Sequence, residues 1–298
     1  MNKLEKLEVP NSICWNITNK CNDNCKFCYR DTLSEDLDFK SNKKILDNII
    51  SSGVKKVTFA GGEPLMYAHT LDLIKYAKEN GIITSLTTNN ILLSEQLLYK
   101  LEKYLDCITL SLDANSSELQ TMMTRNKNHF NNVIHILEFI RQNNLSIKVK
   151  INTVVSKINK AEVKNMIELV EHYNIYRWKL FQFVPLRGAA YKNKDKFYIT
   201  DEEFFTVKDE ILKKQDFNDK KVITFSDRNS IESSYFVIFP NGDVKISTDL
   251  SDKIIGNLIE DSISDIWENK YYEKKSHMER TSKAINLLWL KFKIKRGV

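Results

Sequence analysis

Cysteine is scarce in this sequence: five residues in 298, and none after Cys107. An odd count, with three of the five between positions 21 and 28, is no disulfide framework, which needs cysteines in pairs. Such thiols belong in a reducing compartment, and a cytoplasmic location is expected. Long apolar runs are missing too, so no segment is expected to span a bilayer. The opening residues Met1–Glu8 lack the apolar stretch of a signal peptide. Four prolines and eight glycines leave no Pro/Gly-rich hinge, and there is no internal repeat or low-complexity linker. Basic residues form no stripe with interleaved aromatics, which argues against nucleic acid as a partner. The formal charge of +6 suits either an anionic small-molecule substrate or a Lys-rich solvated surface. What is present, 42% hydrophobic and 28% charged residues, suffices for a sizeable core beneath a polar surface.

Three cysteines stand in Cys21–Asn22–Asp23–Asn24–Cys25–Lys26–Phe27–Cys28–Tyr29, a CxxxCxxC pattern with an aromatic residue directly after it. The Asn and Asp residues between them make the stretch a poor core and a good ligand set. Thiolates select soft metals, chiefly zinc or iron–sulfur clusters. Zinc needs a fourth ligand, and the nearest histidine is His69, far downstream. A four-iron cluster held by three thiolates keeps one iron open, where chemistry can occur.

The chain around this loop alternates strands and helices. Ile13–Thr18 places Cys14, Asn16 and Thr18 on one face and Ile13, Trp15 and Ile17 on the other, a strand entering the cysteine loop. Further strands are expected over Val54–Ala60, Ile82–Thr88, Cys107–Asp113, Ile147–Val155 and Ile175–Val184. Helices are expected over Lys43–Ser52, Leu71–Asn80, Ser94–Tyr104, Asn131–Asn143 and Ala161–Tyr173. Six strands alternating with five helices make βαβ units and a parallel α/β sheet. Right-handed crossovers wind it into a partial (β/α)6 TIM-like barrel over residues 1–185. Residues 186–298 change style and are expected to form a C-terminal α+β cap. They carry a helical pattern over Asp201–Lys214, a hairpin of Tyr235–Phe239 and Val244–Ser247, a helix near Ile263–Tyr272, and a basic tail.

In a barrel of parallel strands the face toward the helices is apolar, so polar residues at alternate positions point to the lumen. Lys148, Lys150 and Asn152 share such a face, opposite Val149 and Ile151; Arg177 and Lys179 share another, opposite Trp178 and Leu180. These strands are consecutive, which brings the cations together. Four buried positive charges without a partner are severely unfavourable. Either the face is wet, as on an edge strand, or an anion belongs there. Gly61–Gly62–Glu63–Pro64 closes the second strand, on the rim where the cysteine loop closes the first. Alone it reads as a tight strand-to-helix turn; beside CxxxCxxC it is far more specific.

That pair of motifs resembles the radical S-adenosylmethionine (SAM) enzymes, and the likeness covers most of the barrel. The resemblance implies that Cys21, Cys25 and Cys28 bind a [4Fe–4S] cluster whose fourth iron SAM chelates. SAM would then be cleaved to methionine and a 5′-deoxyadenosyl radical. It further implies SAM contacts for Tyr29 near the adenine, for Gly61, Gly62 and Glu63 at the methionine ammonium, for Ser111, and for Arg125 at the methionine carboxylate. Asn89 is an additional cofactor candidate. Without the resemblance, Arg125 reads as a surface arginine.

A narrower likeness joins four segments to the viperin-type nucleotide dehydratases. They are Val149–Lys150–Ile151–Asn152, Arg177–Trp178–Lys179–Leu180–Phe181–Gln182, the stretch from Phe197 to Phe204, and Ser234–Tyr235. In that family the radical removes the ribose 4′-hydrogen of a nucleoside triphosphate. Loss of water then gives a 3′-deoxy-3′,4′-didehydro nucleotide, a product of antiviral defence. The resemblance implies CTP, UTP or GTP as substrate, with Cys14, Asn16, Lys150, Asn152, Arg177 and Lys179 as its binding residues. Tyr235 would line the ribose pocket and return a hydrogen atom to the product radical; otherwise it reads as a strand aromatic packed on the cap. A reductase, flavodoxin or ferredoxin would supply electrons to a monomer.

The chain departs from those enzymes at Cys14, where they carry a nucleotide-contacting Asn, and a thiol hydrogen-bonds poorly. Their closing Lys/Arg–Gly–Gly segment has no counterpart; the tail cations Lys291, Lys293, Lys295 and Arg296 either replace it or are solvated. The amphipathic membrane helix of animal viperins is absent as well. Two other readings stay open: a single-cluster radical SAM enzyme of peptide or natural-product maturation, and a zinc-binding module without catalysis. Enzymes of the first kind usually carry further cysteines after the barrel, and here Ser247 stands where one would be.

Overall fold

The computed structural model describes residues 9–30, 32–214, 222–231, 234–248, 251–279 and 281–282. Six strands come first: β1 (Ser12–Asn16), β2 (Lys56–Ala60), β3 (Ile83–Thr88), β4 (Cys107–Ser111), β5 (Lys148–Val155) and β6 (Arg177–Gln182). They are joined by α1 (Phe39–Ser52), α2 (Thr70–Glu79), α3 (Glu95–Glu102), the pair α4 (Ser117–Met122) and α5 (His129–Gln142), and α6 (Met166–His172). Local chemistry sets their ends. The Asp38 carboxylate accepts the Ser41 N–H to start α1, and Gly53 stops it with a φ of 85° that turns its N–H onto the Ile50 carbonyl. Ser94 caps α3 as its sequence predicts. The helix expected over Ala161–Tyr173 is shorter, a 3-10 turn at Val163–Asn165 running into α6.

Alternation decides which face of each strand meets the helices. Ile13 and Trp15 of β1, Val57 and Phe59 of β2, and Val149, Ile151, Thr153 and Val155 of β5 are buried. The Trp15 and Phe59 rings sit 5.9 Å apart, and the Trp178 indole N–H donates to Thr153 Oγ1 at 2.9 Å. Each such side chain gains about 1.5–3 kcal/mol from burial. A register slip of one residue would expose them all, so the lumen-facing set is fixed by what packs behind it.

The residues after 185, expected to form a C-terminal α+β cap, also extend the sheet of the barrel. They continue through α7 (Gly188–Lys192), α8 (Lys194–Phe197), α9 (Asp201–Lys213), β7 (Val222–Ser226), α10 (Arg228–Ile231), β8 (Val237–Ile238), β9 (Asp243–Thr248), β10 (Ser251–Asn257) and α11 (Ile263–Trp267). All ten strands form one sheet in the order β10-β9-β8-β1-β2-β3-β4-β5-β6-β7. β7 pairs in parallel with β6, and β8 pairs in parallel with β1. The physical reason is that β1 and β6 are the bare edges of a six-stranded partial barrel, whose N–H and C=O groups need partners. α11 stops at Trp267 short of Tyr272, because the chain turns there and brings the Tyr272 ring back to 4.7 Å from Trp267. The basic tail, Lys291 to Arg296, lies outside the described residues.

Candidate active site

The cysteine loop leaves the C-terminal end of β1, and the glycine turn leaves the end of β2 beside it. The Gly62 N–H donates to the Thr18 carbonyl at 2.8 Å and the Glu63 N–H to the Lys20 carbonyl at 2.7 Å. A Cβ on Gly62 would collide with the Lys20 carbonyl and lie 2.7 Å from that of Asn19; one on Gly61, whose φ is 145°, would lie 2.5 Å from the Thr18 oxygen. Only glycine allows the turn to rest on the residues leading into Cys21. Asp36 holds the same segment from outside, accepting from Thr18 Oγ1 at 2.5 Å and from the Asn19 N–H at 2.7 Å.

Cys21, Cys25 and Cys28 all line one cavity of about 760 Å³, within the size range of small-molecule sites. Burial pushes the Cys25 thiol up to about 12, against the pull of Arg125, and also raises Cys21. Bare thiols of this kind stay protonated near neutrality; a bound metal is what holds them as thiolates. Among the described residues, no three His, Cys, Asp or Glu side chains converge on one point to hold a single ion.

The cofactor candidates Tyr29, Gly61, Gly62, Asn89, Ser111 and Arg125 line the same cavity. Glu63 does not: it is fully enclosed. Its Oε1 accepts the Leu65 N–H at 3.1 Å and the Thr88 hydroxyl at 2.9 Å, and its Oε2 accepts the Asn89 N–H at 2.7 Å. Burial raises its carboxyl and these donors lower it again. In place of the expected contact with an ammonium group, the carboxylate ties the end of β2 to the end of β3. Arg125 is no surface arginine. Its side chain is 10% exposed, its Nε donates to Asp113 Oδ2 at 2.8 Å, and its guanidinium lies 4.8 Å from the centre of the Phe27 ring.

Below the rim, register gathers the cations. Lys150 faces Arg177 across the β5–β6 pairing and Asn152 faces Lys179. All four side chains line the cavity, as do Cys14 and Asn16. Lys179 is hydrogen-bonded to the Tyr235 hydroxyl, with its ammonium 4.9 Å from the ring centre, so Tyr235 faces the cavity and is not packed away on a cap. Lys148 is a correction: it lies outside the lining, 5.7 Å from the Tyr176 ring. Its place is taken by Lys56 of β2, which shares the lumen face with Thr58 and Ala60 and was visible in the same alternation.

Ten cationic side chains line the cavity against two carboxylates, Asp23 and Asp252, among the described residues. Burial and then the charges of Arg177, Lys179 and Lys56 drive the Lys150 ammonium well below the usual lysine range. Burial lowers Lys56 as well. This excess of positive charge over carboxylates suits an anionic ligand. The Asn152 amide oxygen is buried with no hydrogen-bond partner among the described residues, and its side chain lines the cavity. Arg187 was not foreseen. It lies 5.6 Å from the Tyr29 ring and 5.5 Å from the Phe239 ring and is ion-paired with Asp252. Those partners are too far apart in sequence to leave a local signal.

The family model described as the Radical SAM superfamily matches residues 15–170. A protein of Flammeovirga pacifica named S-adenosylmethionine-dependent nucleotide dehydratase is 34% identical over 221 residues, covering 68% of this chain and 73% of its own length. A protein of the same name from Lacinutrix mariniflava is 28% identical over 246 residues, covering 79% of this chain and 50% of its own; the chain thus spans half the length of that relative. In fold, the chain is similar to Streptococcus suis SuiB, solved bound to its precursor peptide SuiA, with a TM-score of 0.70 at 20% identity, covering 88% of this chain and 65% of SuiB. The chain belongs to the radical SAM superfamily. Within it, the similarity in sequence runs to nucleotide dehydratases, while the likeness to SuiB is one of fold alone.

Proposed function

We propose that the protein is a SAM-dependent nucleotide dehydratase that acts on CTP, UTP or GTP. The observation that carries this reading is the group Lys56, Lys150, Arg177 and Lys179 in the one cavity that also holds the three cysteines. Each charge-assisted hydrogen bond to a phosphate is worth about 1.5–3 kcal/mol. Three or four of them suffice for roughly micromolar binding after the costs of association.

Cys21, Cys25 and Cys28 fit a [4Fe–4S] cluster, and Gly61, Gly62, Asn89, Ser111, Arg125 and Tyr29 fit SAM beside it. When bound, these groups supply the 5′-deoxyadenosyl radical that removes the ribose 4′-hydrogen. The chain's own residues do the rest. The four cations hold the triphosphate, and Asn152 takes a ribose hydroxyl. Departure of the 3′-hydroxyl as water requires one proton, and the radical cation left on the sugar requires one electron. Together these are the equivalents of a hydrogen atom; the Tyr235 phenol, bonded to Lys179, would deliver them, and the tyrosyl radical it leaves would be returned to the phenol by one electron from the external donor and one proton from solvent. Cys14 stands where a nucleotide-contacting amide is usual, so the base and ribose edge are held with fewer hydrogen bonds. No helix of the described residues is long and apolar enough to cross a membrane; we read the protein as a cytoplasmic monomer served by a flavodoxin, ferredoxin or reductase, in antiviral defence.

Peptide maturation is not favoured, since the relatives in sequence are named for nucleotides and no cysteine follows Cys107 for a second cluster. The test is anaerobic reconstitution with iron and sulfide, then SAM and dithionite with CTP, UTP and GTP one at a time. One triphosphate should raise 5′-deoxyadenosine well above the nucleotide-free level. If none does, the dehydratase reading fails.

A further inference from the structure

We infer that Asn89 and Arg125 set the reduction potential of the cluster, each by giving an N–H to a different cysteine sulfur. This rests on reading the cysteine loop as a cluster site. Asn89 Nδ2 lies 3.7 Å from Cys21 Sγ, and Arg125 Nη1 lies 3.5 Å from Cys25 Sγ. Neither donor belongs to the loop; they arrive from the end of β3 and from the turn between α4 and α5.

Both donors are aimed by the protein behind them. The Asn89 amide oxygen accepts the Ile91 N–H at 3.1 Å, and Nδ2 also donates to Asn22 Oδ1 at 2.8 Å, so the amide nitrogen is the end that faces sulfur. Its backbone N–H is fixed on Glu63. The Arg125 Nε is held by Asp113 Oδ2, while Asp113 Oδ1 accepts the Val154 N–H at 2.8 Å. The Asp113 N–H donates to Gln120, and the Gln120 amide bonds the enclosed His129 at 3.0 Å. Burial, with Arg125 nearby, holds His129 down to about 2, so it stays neutral and accepts that bond without adding charge.

Reduction adds an electron that is shared with the thiolate ligands. N–H donors on those sulfurs stabilise the reduced cluster more than the oxidised one and so raise its potential. Arg125 acts on Cys25 through its charge as well as its directed N–H, and a lysine at this position keeps the first while losing the second. The two donors touch different ligands and share no hydrogen-bond partner, so the double variant should shift the potential further than either single one. Arg125 keeps its Nη2 side for a carboxylate, so a role toward SAM is compatible with this one.

The test is an EPR-monitored reductive titration of the reconstituted full chain, without SAM or nucleotide, with iron content measured in parallel. Asn89→Ser retains a hydroxyl that can accept the Ile91 N–H but is too short to reach Cys21. Arg125→Lys retains the charge beside Asp113 but loses the fork that spans Asp113 and Cys25. Each cluster should be harder to reduce by about tenfold in the one-electron equilibrium, about 59 mV, and that of the double variant harder still. Wild-type potentials in both variants at wild-type iron content would overturn the inference and leave the cluster reading standing. If Arg125→Lys fails to hold iron, Asn89→Ser decides alone. A wild-type chain that binds no iron overturns both.

Discussion

Lys150→Ala is the most searching perturbation of the proposed substrate site. The residue lies in register with Arg177, and burial together with Arg177, Lys179 and Lys56 already depresses its proton affinity in the ligand-free cavity. A phosphate entering there reverses the local field and raises it. Losing one charge-assisted bond costs about 1.5–3 kcal/mol, so triphosphate binding should weaken by about 10- to 150-fold. The sign with pH follows from the same shift. The bound-state pKa lies above the free-state one, so binding takes up protons, and affinity falls as pH rises through the window between them. Titration calorimetry in buffers of different ionisation enthalpy reads both quantities. The variant should lose affinity and proton uptake together, while nucleotide-free SAM cleavage and the brown cluster colour persist. Stability of the ligand-free protein gives a second reading. The unfolded chain binds more protons in the range up to the ordinary lysine pKa, so wild-type stability rises with pH there, and the variant should show less of that slope. Unchanged triphosphate affinity in Lys150→Ala would refute the assignment, and loss of the cluster with it would mark a structural lysine.

Three further outcomes are expected. Asp113→Ala leaves the Arg125 guanidinium without the partner held at 2.8 Å, which should cost about 3–5 kcal/mol and show as a lower midpoint in denaturant unfolding. Gly62→Ala places a Cβ against the Asn19 and Lys20 carbonyls, so the cysteine loop must move and reconstituted iron should drop while the fold, followed by circular dichroism, is retained. Cys25→Ala should abolish the visible absorption of the cluster and all SAM cleavage, measured against wild type reconstituted alongside.

The parts of this molecule written in short-range pattern were legible. The spacing of Cys21, Cys25 and Cys28, the glycine turn at Gly61 and Gly62, and the alternation that turns Lys150 and Arg177 inward all depend on neighbours a few residues away. Lys56 obeys the same alternation, but one lysine at the start of a five-residue strand carries little weight as a pattern. β7 and β10 were missed for other reasons. β7 is only five residues long, too short for its alternation to stand out, and a register shift between Ile254 and Gly256 breaks the period of β10. The enclosure of Glu63, the pairing of Arg125 with Asp113 and the contact of Arg187 with Asp252 are products of tertiary approach. Sequence spacing holds no trace of them.

The pairing of β8 with β1 ties completion of the site to a segment more than two hundred residues downstream. The Cys14 N–H donates to the Phe236 carbonyl at 3.0 Å, so the strand that feeds the cysteine loop waits for a partner made late in synthesis. Contacts of such long range form slowly, and an emerging barrel keeps this edge bare meanwhile. Tyr235 and Phe239, which wall the cavity, arrive with the same segment. A nascent or truncated chain can therefore present its three thiols before it can shelter what they hold.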